Sequence, residues 1–239
     1  MKQMIVLACG AAMMAGAAGA DTVESRKASP SRGDGAATTI NFGGNSNRVF
    51  AGELRNEFRN GTGVAEELNG RTIAGFCTDV DQPRPDEWTV YNVVPLADAQ
   101  DFNGGVIGTE RAEAVKRLIA YERSLSNNGV ADNADQFAVA FQLAIWEVTY
   151  DYSPTLRGGD GLDIDSGDFS ASGIGAAGLQ AQLNDFLTNG LAFGGSVGGK
   201  IFAISNDTYQ DQFFVIIPTP TAAAMGLFGV AGIAARRRR

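Results

Sequence analysis

Phe137-Ala138-Val139-Ala140-Phe141-Gln142-Leu143-Ala144-Ile145-Trp146-Glu147-Val148 is the most apolar stretch in the middle of the sequence. Its apolar residues leave almost no polar face at helical spacing, and a helix that is apolar all round is a buried one. A capping residue at Asp132 or Asn133 starts this helix, which the pattern carries to about Val148. Gln142 lies in the middle of it. A buried amide costs about 1–3 kcal/mol unless it is hydrogen-bonded. Gln142 therefore either satisfies a backbone group or is there for chemistry.

Upstream, Thr109 can cap a helix over 109–125, with Ala112, Val115, Leu118 and Ile119 on one face. A third helix over 179–187 aligns Leu179, Leu183 and Phe186, with Gly190 as its stop. Strands are expected at 72–78, 88–94, 200–205 and 212–217, from their β-branched and aromatic content. Strands before, helices in the middle and strands after predict an α+β domain over 38–217: a β-sandwich or barrel carrying a helical insertion. Residues 21–37 are rich in Ser, Gly and charge and read as a flexible leader.

Composition excludes several functions. The 239 residues carry a formal charge of −8 and no histidine. Without histidine there is no Ser-His-Asp or Cys-His catalytic arrangement and no His-rich zinc site. The body has no clustered Lys and Arg of the kind a nucleic-acid groove needs, so no nucleic-acid partner is expected.

The two ends read as targeting segments. Residues 1–20 combine Lys2, an apolar and small-residue core, and the small-residue site Ala18-Gly19-Ala20, which predicts a secretory signal peptide and a mature start near Asp21. At the other end, Pro218-Thr219-Pro220 precedes an apolar run over 222–235 and then Arg236, Arg237, Arg238 and Arg239. The run is shorter than the roughly 20 residues of a spanning helix, and four arginines would hold the end on the cytoplasmic side. The segment would therefore anchor the chain only weakly and transiently. This tripartite tail resembles the PEP-CTERM sorting signals recognised by exosortases, although the usual central Glu of the Pro motif is missing. That resemblance implies an exosortase-type processing enzyme as partner, and a bacterium with an outer membrane and abundant extracellular polysaccharide. The expected location is the cell surface, outer envelope or extracellular space.

Removal of the signal peptide leaves a single cysteine, Cys77. It can be a small buried hydrophobe at a strand end, a partner in an intermolecular disulfide, or a reactive thiol. A further route needs one Cys and one Gln. The thiol displaces ammonia from the side-chain amide and leaves an internal thioester, which survives where aromatic and apolar neighbours keep water away. Phe76 adjoins Cys77, and Phe141, Ile145 and Trp146 surround Gln142.

Phe76-Cys77 and Phe141-Gln142-Leu143-Ala144-Ile145-Trp146 resemble the aromatic-Cys and Gln-x-Ala-Ile-Trp elements of bacterial thioester domains. The resemblance implies a mixed β and helical fold, with Cys77 as sulfur donor and Gln142 as acyl donor. It implies an adhesive surface protein rather than an enzyme, capturing an amine-bearing surface protein or extracellular polysaccharide covalently. The alternative is an envelope or matrix component without a thioester, whose Cys77 and Gln142 are structural.

Two further groups of carboxylates stand out. Asp160, Asp163, Asp165 and Asp168 sit in a Gly-rich loop and would suit a weak extracellular calcium site, though without EF-hand spacing; a solvated acidic loop is the plainer reading. No other cofactor is expected. Glu122, Glu147 and Asp151 are carboxylates of the kind glycosidases pair, but no motif selects them.

Overall fold

The computed structural model describes residues 20–101, 105–127, 133–153, 162–174 and 177–217. Seven strands and three helices follow in the order β1 (Thr22–Phe42), β2 (Asn45–Arg59), β3 (Thr72–Cys77), β4 (Thr89–Val94), α1 (Thr109–Asn127), α2 (Ala134–Asp151), β5 (Phe169–Ser172), α3 (Ala177–Asp185), β6 (Lys200–Ser205) and β7 (Gln212–Ile216). A wide helical turn, Phe186–Gly190, continues α3.

The sheet runs β2-β3-β7-β6-β4-β1-β5, and β1 also pairs with β2. Every pairing is antiparallel. The β1–β2 pairing closes six strands into a barrel, which leaves no free edge among them. Val23, Phe58, Tyr91, Phe202, Ile204, Phe214 and Ile216 belong to a buried cluster of their own that includes alternate residues of these strands. β1 and β2 run on past the barrel as a long hairpin, whose far half pairs with β5 through Thr39↔Ser172 to Phe42↔Phe169.

All three helices lie between β4 and β6 in sequence, so the α+β domain is a barrel carrying a helical insertion. α2 is the centre of that insertion. Asn133 caps it by accepting the Gln136 N–H at 3.1 Å, which settles the choice between Asp132 and Asn133 at the start. Every residue from Phe137 to Tyr150 is buried. α1, α3, β5 and the β1–β2 hairpin all pack against it, which is why its sequence has no polar face to spare.

The flexible leader expected at 21–37 instead forms most of β1. Its charges are cross-strand partners rather than marks of solvation. The Arg59 Nε sits 2.6 Å from Glu24 and an Arg26 guanidinium nitrogen 2.8 Å from Glu57, and both guanidinium groups lie over Trp88, Arg59 at 4.1 and Arg26 at 4.5 Å from the ring centre. Val23 and Ser25 point the other way, into the barrel wall, and are buried. Gly35 and Gly52 face each other in the register with φ of +144° and +140°. A side chain on either would strike the opposite backbone.

Candidate functional site

Cys77 is the last residue of β3 and is paired with Gln212 of β7 on one side. On the other side, the β2–β3 pairing stops at Leu54↔Gly75. The side chain of Gln142 takes up the backbone groups left there. The Cys77 N–H donates to Gln142 Oε1 at 3.1 Å, and Gln142 Nε2 donates to the Cys77 carbonyl at 3.0 Å. The Cys77 thiol lies 3.5 Å from the same Oε1. Two residues 65 apart in sequence thus meet in a pocket closed to water, with Cys77 2% and Gln142 0% exposed.

The four residues expected to shield this pair all pack in its core cluster. Phe76 meets Phe141 edge to face at 4.7 Å, and stacks on Phe213 at 6.1 Å. Ile145 and Trp146 are buried, with the Trp146 indole against Phe169 at 5.9 Å. The indole N–H is buried without a hydrogen-bond partner. Its dipole beside the Cys77 sulfur favours the charged form. Burial outweighs it: desolvation, with the Asp79 carboxylate adding in the same direction, pushes the Cys77 thiol far above the usual thiol range. The resting group is the neutral thiol, so any reaction at sulfur must carry its proton away.

A buried polar network next to Cys77 went unread in the sequence. Asn56 donates to Gln212 Oε1 at 2.6 Å and accepts from Arg84 at 2.8 Å. Asp79 accepts the N–H groups of Asp81, Gln82 and Asp211, and burial raises its pKa to about 7. The signal was there in Thr78-Asp79 directly after the Cys strand and in Arg84 between two prolines. Nothing in spacing alone, however, connects these residues to Asn56 or Gln212.

Two clefts flank the Cys–Gln pair. One, of about 660 Å³, is lined by Lys27, Arg32, Arg84 and Leu54 and reaches Trp146. The other, of about 310 Å³, is lined by Asp34, Glu53 and Glu122 and reaches Phe76 and Phe141. Burial raises the pKa of Glu53 and of Glu122. Glu122 therefore lies in the acidic cleft, whereas Glu147 and Asp151 serve the loop before β5.

Glu147 accepts the Asp163 N–H at 2.8 Å, and its second oxygen is buried without a partner. Desolvation, then the neighbouring Asp151, raises its pKa to about 8. Asp151 accepts the N–H groups of Asp168 and Phe169 at 2.9 and 3.0 Å. Within the acidic loop, Asp163 accepts from the Asp165 N–H and the Ser166 hydroxyl, and Asp165 and Asp168 are exposed. Asp160 lies outside the described residues. Among the described residues no three His, Cys, Asp or Glu gather as a metal site would require. None of the described helices is long and apolar enough to cross a membrane. Residues 1–19 and 218–239, with Pro218, Thr219, Pro220 and the four terminal arginines, lie outside the described residues.

No family model matches the chain, and no curated protein matches it. Among solved structures, the chain is similar to the N-terminal domain of the Streptococcus pyogenes pilus tip adhesin Cpa. The match has 13% identity and a TM-score of 0.36, and covers 70% of this chain and 84% of that one. A likeness that loose does not speak for shared chemistry.

Proposed function

We propose that this protein is an exported cell-surface adhesin whose Cys77 and Gln142 form an internal thioester that captures amine-bearing partners. The observation that carries the reading is the thiol of Cys77 at 3.5 Å from the Gln142 amide oxygen, in a buried and apolar-walled site. In the first step the sulfur attacks Gln142 Cδ, the C–N bond breaks, and ammonia leaves with the thiol proton. In the second step an external amine attacks the same carbon, the C–S bond breaks, an amide forms, and the proton returns to sulfur as the thiol. The Cys77 N–H already donates to the oxygen on which negative charge develops in both steps. Export by residues 1–20 and exosortase-type processing at 218–239 belong to the same reading, with the partner a surface protein or extracellular polysaccharide.

A second reading is favoured by the two-point hydrogen bonding itself. An intact Gln142 amide satisfies both backbone groups of Cys77, and that alone would justify a buried Gln in an inert envelope or matrix protein. Intact mass decides between them. A chain lighter than its sequence by one ammonia, gaining one methylamine on treatment and unchanged in Cys77→Ala, is the expected result. Full mass with one free thiol would leave the inert reading.

A further inference from the structure

In a chain of net charge −8, the cleft of about 660 Å³ that ends on Trp146 gathers three cations, Lys27, Arg32 and Arg84. Of the three cations there, Lys27 is paired with Asp86 at 2.9 Å. Arg32 is not: its guanidinium lies 4.6 Å over the Phe50 ring and has no carboxylate within salt-bridge distance among the described residues. Arg84 is held in place by the Ser31 and Arg55 carbonyls and by Asn56, and its buried Nε–H has no partner. Two guanidinium groups are thus left without a carboxylate, one of them held in place and with an unused donor. The cleft lies on the Trp146 side of Gln142, one helical turn along α2.

We infer that this cleft docks a carboxylate side chain of an acidic peptide segment on the protein whose lysine is captured. The docking step stands without the thioester; only its link to capture rests on that reading. A guanidinium presents a planar donor fork that fits a carboxylate. A lone ammonium approaching two guanidinium groups is repelled, whereas a lysine with Glu or Asp beside it brings its own compensation. The same field pushes an ammonium towards its neutral, nucleophilic form. The walls favour a peptide over an acidic sugar. Val49, Leu54 and Val80 are aliphatic, and neither aromatic offers a free face for a sugar ring, since Phe50 is covered by Arg32 and Trp146 is 1% exposed.

The test uses the full chain carrying Cys77→Ala, so that docking is read without capture. Two labelled peptides are compared by fluorescence anisotropy, one with Glu on both sides of a lysine and one with Ala there. The Glu peptide binds about tenfold more tightly at low ionic strength, and the gap closes in high salt. Arg32→Glu, at an exposed position, abolishes the preference without lowering the thermal midpoint, and Arg84→Lys weakens it by removing the fork. Equal binding of the two peptides overturns the inference. So does an oligogalacturonate that displaces the Glu peptide at a lower concentration than unlabelled peptide does. Methylamine addition to the unmodified chain, followed by mass, is scored separately. If it fails while the Glu preference holds, the thioester is wrong and the docking site stands.

Discussion

The two clefts beside the Cys–Gln pair differ in charge and in the solidity of the wall that separates them from it. Trp146 closes the basic side and is fully embedded in the core, whereas Phe76, which closes the acidic side with Phe141, is only partly buried. Both signs come from the same hairpin: Arg32 lines one cleft and Asp34 the other, two residues on. Residues two apart on a regular strand share a face, and the register shift between Arg32 and Gly35 breaks that alternation where the strand passes the site. That strand irregularity thus puts opposite fields on two sides of the Cys–Gln pair. The lesson is that the net charge of this chain says little about the field at its site.

The comparison is broken outright if the pair it flanks is inert. Cys77→Ala and Gln142→Ala are each expected to abolish methylamine incorporation completely, as read by intact mass. Incorporation surviving in either would place the reactive carbon elsewhere.

Next in size come the walls. Trp146→Ala should cost about 3–5 kcal/mol in chemical denaturation, because a fully buried indole leaves a cavity. Phe76→Ala should cost less, since that ring is already partly exposed, yet should hydrolyse the thioester faster, as shown by recovery of free thiol over time. If Phe76→Ala proved the more destabilising of the two, the acidic-side wall would be the solid one.

A smaller effect follows from the buried carboxylates. Glu147 has its pKa raised from 4.5 to about 8 by burial and by Asp151, and Asp79 has its own raised from 3.8 to about 7 by burial. The folded state holds these protons more tightly than the unfolded chain. The stability they contribute is therefore full below about pH 4 and is lost as pH rises towards 8. The thermal midpoint should fall across that window, and Glu147→Gln should flatten the slope and raise the midpoint at pH 8. A midpoint rising from pH 5 to pH 8 would contradict this.

The smallest difference is expected between the clefts themselves. Glu53→Gln should stabilise slightly at neutral pH, because burial already favours its uncharged form. Arg32→Gln on the basic side should leave stability within about 0.5 kcal/mol, as is usual for an exposed charge. Thermal scans of both variants at pH 7 test the pair.

The helices and most strands were legible because their evidence is local. Residues 137–148 have no polar face wherever they are placed, so burial of α2 could be read directly, and β6 appears at 200–205 as its β-branched and aromatic content requires. β1 was not legible. Its Glu24 and Arg26 look like solvated charges until Arg59, Glu57 and Trp88 are brought across from other strands. The network of Asn56, Gln212 and Arg84 failed for the same reason, as each member is an ordinary polar residue until the three meet.

Composition and periodicity were enough for the burial of α2, for the absence of histidine chemistry, and for one cysteine and one buried amide within residues 20–217. Only the tertiary structure decided that the barrel closes through β1 and β2, that the Gln142 amide occupies the hydrogen-bonding edge of Cys77, and that opposite charges flank the pair. Periodicity and composition are properties of neighbours along the chain, whereas a contact across 65 residues depends on where closure of the sheet brings two distant segments together.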